Sequence, residues 1–198
     1  MNRRVIGKLI LSGMATHALA ASPVAIEADR ELKRSSTCSV DGLGPITALI
    51  TEYENSTDPD VRLVVAKARL QAGFVYWFRE EPSYRHRLDE VIKLYDDDTD
   101  PRVSAVAADA RLMAAMLERD WRKKAGLIEP IIDHYAHRPA VEYAEVYYKA
   151  LFAMSDVSRT RGDKDEADRL HARGQQIYLS VVRPNAKKVD DQDTEICV

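Results

Sequence analysis

Arginine and tyrosine residues recur at positions that could share one surface of the protein. They are Arg62, Arg69, Tyr76, Arg111 and Tyr147. Arginine can give a carboxylate two parallel hydrogen bonds, and both residue types are enriched among the residues that dominate binding energy at interfaces. We therefore expect this set to contact a protein or peptide partner through an acidic or extended segment. The competing interpretation is structural: Arg69 and Arg111 would pair with acidic residues of neighbouring helices.

Two groups of residues have part of the composition of a metal site. His134 and His137 lie three residues apart, but the sequence offers no third and fourth zinc ligand nearby. The run from Asp96 to Asp100 is similar to a calcium loop, yet its sixth position is not glycine and Ala107 stands where a bidentate glutamate belongs. We interpret the histidines as a solvated helix end and the aspartates as a turn with a helix cap. No metal or cofactor is predicted.

The sequence lacks the motifs of the common catalytic classes. It has no G-x-S-x-G, no P-loop, no H-E-x-x-H, and no cysteine and histidine in a nucleophile context. We predict a non-catalytic protein. A carboxylate pair assembled only by the fold would be invisible in the sequence, so an enzyme stays open as an alternative.

Cys38 and Cys197 are the two cysteines of the chain. In an exported protein an even pair suggests a disulfide. A bridge between them would contribute about 4–5 kcal/mol on the loop-entropy model. The alternative is two free thiols on mobile ends.

The first 20 residues have the pattern of a secretory signal peptide. A basic start that includes Arg3 and Arg4 precedes a short apolar stretch and an A-x-A cleavage site at residues 18–20. We predict export, to the periplasm of a bacterium. The paired arginines leave a twin-arginine route open beside the general one, and an ordinary amphipathic N-terminus is the alternative to both.

Composition and charge restrict the partners. Of the 198 residues, 45% are hydrophobic and 31% are charged, which is enough for a core and too apolar for disorder. The net charge of −3 speaks against a nucleic-acid partner. No apolar run reaches the roughly 18–20 residues of a membrane span.

A self-match at an offset of 42 residues organises the chain. Residues 57–76 read TDPDVRLVVAKARLQAGFVY, residues 99–118 read TDPRVSAVAADARLMAAMLE, and ten of the twenty aligned positions are identical. Such a match is the mark of a repeat architecture. Both copies are predicted to be helices, with Thr57 or Thr99 as the N-cap and a proline in the first turn.

The first copy has two apolar faces separated by two polar edges. At about 100° per residue, one edge carries Arg62, Arg69 and Tyr76, and the opposite edge carries Asp60, Lys67 and Gln71. A surface helix has one apolar stripe, whereas this pattern suits a helix packed between neighbours on both sides. The prediction is an all-α fold, an α-solenoid of about three helix-turn-helix repeats.

The rest of the chain completes the domain plan. Further helices are predicted from Pro82, from Trp121, from Pro139 to Met154, and from Gly162. The plan is a signal peptide (1–20), an irregular lead-in (21–44), a helical repeat domain (45–182) and a polar C-terminal tail (183–198).

The helical units resemble a known repeat family. Tyr53 and Tyr95 at helix ends and the run GDKDEADRL from Gly162 resemble the tetratricopeptide repeat family, over residues 45–182. The spacing of roughly 36–42 residues departs from that family's 34, and its Trp-Leu-Gly-Tyr signature is absent. Residues 88–112 are similar instead to a HEAT repeat, in which an Asp-Pro-x-Val turn joins two helices. Either resemblance implies a binding scaffold.

These observations predict an exported protein–protein interaction scaffold of the bacterial cell envelope. The alternative is a periplasmic immunity or inhibitor protein that neutralises a secreted toxin. Such a protein would also be small and exported. The sequence leaves the partner's identity and the oligomeric state open.

Overall fold

A computed structural model describes residues 22–35, 43–137 and 140–185. In these ranges the regular structure is helical and contains no β-strand, which confirms the predicted all-α class for this part of the chain. The helices are α1 (Pro23–Ser35), α2 (Leu43–Tyr53), α3 (Pro59–Phe78), α4 (Tyr84–Tyr95), α5 (Pro101–Leu117), α6 (Trp121–His137), α7 (Val141–Arg161), α8 (Lys164–Ile177), a π-helical turn (Tyr178–Val182) and α9 (Arg183–Asn185).

The chain divides into two compact units, and the division falls within α5, between Val106 and Ala107. Among the described residues, the first unit contains α1 to α4 and the start of α5. The second unit contains the rest of α5 and the helices that follow. Each unit has its own buried core.

In the first unit α3 is the central helix. Helices α1, α2 and α4 all pack against it. It buries residues on nearly every side, from Val61 at its start to Trp77 at its end, as expected for a helix between neighbours. Gln71, predicted on a polar edge, is buried as well. Gly73 allows α4 to approach closely, because a Cβ at this position would lie 3.1 Å from the Leu88 side chain.

Helix α1 (Pro23–Ser35) lies within the segment 21–44 that we predicted to be irregular. Its buried stripe consists of Ala25, Ala28 and Leu32, at spacings of three and four residues, as on one face of a helix. Ala28 and Leu32 join a core cluster with residues of α2 and α3, namely Ile46, Leu49, Val64, Ala68 and Ala72. Two of the three stripe residues are alanines in a polar stretch, so the stripe is weak in the sequence.

The two copies begin alike, one residue later than predicted. Asp58, and not Thr57, caps α3: its carboxylate accepts the backbone N–H of Asp60 at 2.9 Å. At the second copy Asp100, and not Thr99, accepts the N–H two residues ahead at 2.9 Å. A carboxylate suits this position because it also complements the positive end of the helix dipole.

In the second unit consecutive helices pack against one another, α6 on α7 and α7 on α8. Helix α7 runs past its predicted end at Met154, because no glycine or proline follows before Gly162, whose positive φ of 90° ends the helix. Its predicted start at Pro139 lies outside the described residues. Gly174 of α8 sits against Phe152 of α7, and a Cβ there would lie 2.8 Å from the aromatic ring.

None of the helices in the described ranges has the length and apolar character that a membrane crossing requires.

Candidate functional site

Arg62 lies in a charged network that joins the first turns of α3 and α5. It forms an ion pair with Asp98, whose other carboxylate oxygen accepts the backbone N–H of Asp100 at 2.9 Å. Arg102 donates to Asp60 at 2.6 Å and to Asp100 at 2.7 Å. The side chain of Arg62 stays 38% exposed while it makes this pair. Arg62 is therefore both part of the framework and accessible at the surface.

The electrostatics at Asp100 and Arg102 favour the charged forms of these two side chains. The hydrogen bond from Arg102 to Asp100 raises the pKa of Arg102. Burial alone would raise the pKa of Asp100, but the hydrogen bonds and charge of Arg102 outweigh it, so this pKa lies below its ordinary value. Asp100 and Arg102 therefore stay charged near neutral pH, and their hydrogen bonds fix the geometry of the turn that we predicted for the aspartate run.

Arg69 connects three segments of the first unit. From α3 its guanidinium donates to Glu90 of α4 at 2.9 Å and to Glu54, just after α2, at 3.2 Å. Its side chain is only 18% exposed. Burial raises the pKa of the nearby Tyr95 phenol, and the Arg69 charge offsets part of that effect. These contacts are those of the structural interpretation, in which Arg69 holds neighbouring segments together.

Tyr76 continues the edge of α3 that carries Arg62 and Arg69. The guanidinium of Arg87 lies 5.3 Å from the centre of the Tyr76 ring, and Arg87 also donates to Glu90 at 3.2 Å. Arg87 is exposed, and Tyr76 and Glu90 are half-buried. The structure thus brings three of the five predicted residues together on one edge of the first unit.

The other two residues of the predicted set belong to the second unit. Arg111 lies on α5 and is half-buried. Tyr147 lies on α7 and is fully buried, with its ring stacked on Tyr135 at 3.8 Å and the Arg173 guanidinium 5.4 Å from its centre. The prediction that Tyr147 faces a partner is corrected: this side of α7 is part of the core. Helical spacing alone does not distinguish an exposed edge from a buried face.

The two histidines of α6 have different surroundings. His134 is half-buried beside Tyr143 of α7, with 3.1 Å between His134 Nε2 and the Tyr143 hydroxyl and 5.0 Å between the ring centres. His137 is exposed at the end of the helix. Among the described residues no group of three histidine, cysteine, aspartate or glutamate side chains is placed to hold a metal ion.

Two charged groups of the second unit were not predicted from the sequence. Lys149, whose side chain is 10% exposed, pairs with Glu145 at 2.9 Å. Burial alone would lower the pKa of Lys149, but Asp109 and Glu145 raise it. At the start of α6, Trp121 is surrounded by four basic residues, which we call the basic turn: Arg119, Arg122, Lys123 and Lys124. The run WRKK is a sequence signal for the basic turn. The contacts of Lys149 depend on the packing of α7, which the sequence does not show.

Cys38, Cys197 and the predicted signal peptide lie outside the described residues, so the disulfide and export stay predictions. The same holds for most of the predicted tail. Comparisons with family models, with curated proteins and with solved structures found no match, and the fold class therefore rests on the helices of the chain itself.

Proposed function

We propose that the protein is an exported, non-catalytic protein–protein interaction scaffold of the bacterial cell envelope. Its architecture is an α-solenoid of about three helix-turn-helix repeats, with tetratricopeptide-like pairing of helices and HEAT-like pairing as the alternative. Its partner is a protein or peptide, and its compartment is the periplasm.

The observation that carries this proposal is the ion pair between Asp60 and Arg102. The two residues occupy the same position in the two copies, and they join the first turns of α3 and α5. Contact between equivalent positions of successive copies is what stacked repeats make. Packing of sequence neighbours, α2 on α3 and α3 on α4 in one unit and α6 on α7 in the other, also supports it.

A stack of repeats offers one edge of each unit as a binding surface, and the α3 edge is our candidate. Arg62, Tyr76 and Arg87 are its accessible members, and they combine charge with aromatic area. Arg69 lies on the same edge but is little exposed, because its guanidinium pairs with two carboxylates. We assign Arg69 to the framework and the other three residues to partner contact.

The test is capture of a partner by the exported protein. The chain is expressed with its own leader in a bacterial host, the periplasmic fraction is crosslinked, and captured proteins are quantified by mass spectrometry. We expect one protein to be recovered in stoichiometric amount by the wild type and to be lost with Tyr76→Ala combined with Arg87→Ala. The matched control is Tyr178→Ala combined with Arg173→Ala, which changes an exposed tyrosine and an exposed arginine of the second unit.

Two outcomes would contradict the proposal. Recovery of Met1 in the mature protein would refute export. Recovery of no stoichiometric partner from any envelope fraction would refute the scaffold.

A further inference from the structure

The basic turn at the start of α6 concentrates positive charge on the protein surface. Arg119, Arg122 and Lys123 are exposed, and Lys124 is half-buried. Four cations within six residues stand out in a chain whose net charge is −3. Cations near a helix N-terminus interact unfavourably with the helix dipole, so this group does not stabilise the helix.

The basic turn keeps a net positive charge, because Glu118 and Asp120 offset only part of the charge of its four cations. In the part of the chain that the structure describes, none of its four side chains forms an ion pair with a carboxylate, whereas Arg85, Arg87, Arg159 and Arg161 each do. The two nearest carboxylates bind backbone groups. Glu118 accepts the N–H of Arg119 at 2.8 Å, and Asp120 accepts the N–H of Arg122 at 2.8 Å.

Trp121 lies at the centre of the basic turn. The guanidinium of Arg122 lies 4.5 Å from the centre of the Trp121 ring, a cation–π arrangement. A stacked guanidinium loses less conformational freedom when it binds, and its N–H groups at the rim of the plane remain available. Tryptophan and arginine are also the residue types most enriched at binding hot spots.

We propose that the basic turn is a docking site for an acidic segment of a protein partner. Arg122, held on Trp121, would bind one carboxylate with two parallel hydrogen bonds, and Lys123 and Arg119 would bind the neighbouring ones. This assignment names a second contact for the scaffold and so rests on the proposed function.

The surroundings favour a narrow ligand over a flat one. Glu118, Asp120, Glu129 and Asp133 lie close to the basic turn in sequence, and Asp120, Glu129 and Asp133 are exposed. A flat anionic membrane would also meet these carboxylates, whereas a peptide strand can contact the cations alone. A polyanion such as DNA needs a basic stripe longer than one helical turn.

The experiment measures binding of an acidic peptide to the full mature chain by fluorescence anisotropy. The probe is a fluorescein-labelled Glu/Gly peptide of about ten residues, with a Gln/Gly peptide as its neutral counterpart. The patch variant is Arg122→Gln with Lys123→Gln. The control variant is Arg159→Gln with Arg161→Gln, which removes the same charge from two arginines that have carboxylate partners.

We expect the wild type and the control to bind the acidic peptide alike and the patch variant to bind it about tenfold more weakly. Binding should fall steeply between about 50 mM and 500 mM salt because the charges become screened. The melting temperature of the patch variant should equal or exceed that of the wild type, since an unfavourable contact with the helix dipole is removed.

Equal binding by the patch and control variants would overturn the proposal, as would tighter patch-dependent binding of phosphatidylglycerol vesicles or of single-stranded DNA. Peptide binding seen only after removal of residues 189–198 would also overturn it, because the site would then belong to the chain's own acidic tail. If the patch variant still captures the envelope partner, the proposed scaffold function stands and only the basic turn is excluded as a docking site. If the wild type binds the acidic peptide but captures no partner, the docking site stands and the scaffold function is excluded.

Discussion

Asp60 and Arg102 occupy the same position in the two copies of the repeat, 42 residues apart, and form an ion pair with 2.6 Å between Asp60 Oδ1 and Arg102 Nη1. Both side chains are largely shielded from water. Arg102 also binds Asp100, which holds its guanidinium in place. An ion pair that is shielded and held from two sides is worth more than an ordinary exposed pair.

We expect this pair to couple the two copies energetically. Asp60→Asn and Arg102→Gln should each destabilise the protein, and the double variant should be less destabilised than the sum by about 1 kcal/mol. Urea unfolding of the four proteins measures this. The same cycle on Arg85 and Asp89, an exposed pair within α4, is the control and should give about 0.5 kcal/mol or less. Additive effects at Asp60 and Arg102 would show that the pair does not join the copies.

Arg69→Ala should lower the free energy of unfolding by about 1–3 kcal/mol, because it leaves Glu54 and Glu90 without their shared partner. Partner binding should change little. Arg85→Ala is the matched control on the same unit, with an expected loss of about 0.5 kcal/mol or less. If Arg69→Ala has a normal melting temperature but binds the partner poorly, Arg69 contacts the partner and is not a framework residue.

The Tyr147 hydroxyl is buried and has no hydrogen-bond partner in the described part of the chain. Tyr147→Phe should therefore leave stability unchanged or raise it by up to about 1 kcal/mol, since a desolvated hydroxyl is removed and the ring stack stays. Tyr143→Phe is the contrasting variant: it removes the contact with His134 and should cost about 0.5–1.5 kcal/mol. A loss of stability in Tyr147→Phe larger than in Tyr143→Phe would mean that the Tyr147 hydroxyl has a partner after all.

Two helical glycines should respond in opposite ways to the same substitution. A Cβ at Gly126 of α6 would meet nothing within 4 Å, so Gly126→Ala should raise stability by about 0.5–1 kcal/mol through helix propensity. A Cβ at Gly174 of α8 would lie 2.8 Å from the Phe152 ring, so Gly174→Ala should cost about 1–3 kcal/mol. Thermal unfolding of both variants measures the difference. Equal effects would refute the close packing of α7 on α8.

The sequence predicted α3 best, with its cap one residue from the predicted position. Asp58 and Pro59 mark its start, and the apolar pattern continues without a break to Phe78. Helix α1 could not be predicted from the same kind of signal, because a stripe of Ala25, Ala28 and Leu32 has little apolar area. Its stability comes from packing on α2 and α3, and local sequence does not reveal such contacts.

The candidate site was predictable only as far as one helix edge. The positions of Arg62, Arg69 and Tyr76 follow from helical geometry. The partners of Arg69 are 15 and 21 residues away in the chain, on other segments, so only the folded arrangement identifies them. Helical spacing predicted that Tyr147 of α7 shares a surface with these residues. The packing of α6 on α7 buries it instead.

The charge difference between Asp60 and Arg102 also bears on how the repeat can be duplicated. Two perfectly duplicated segments would carry the same residue at this position, and like charges would face each other between them. Opposite charges at this position therefore allow Asp60 and Arg102 to form their ion pair. A further copy inserted at this junction by recombination, with aspartate or with arginine at this position, would bring two like charges together. The pair thus acts as a barrier to lengthening the protein by whole copies.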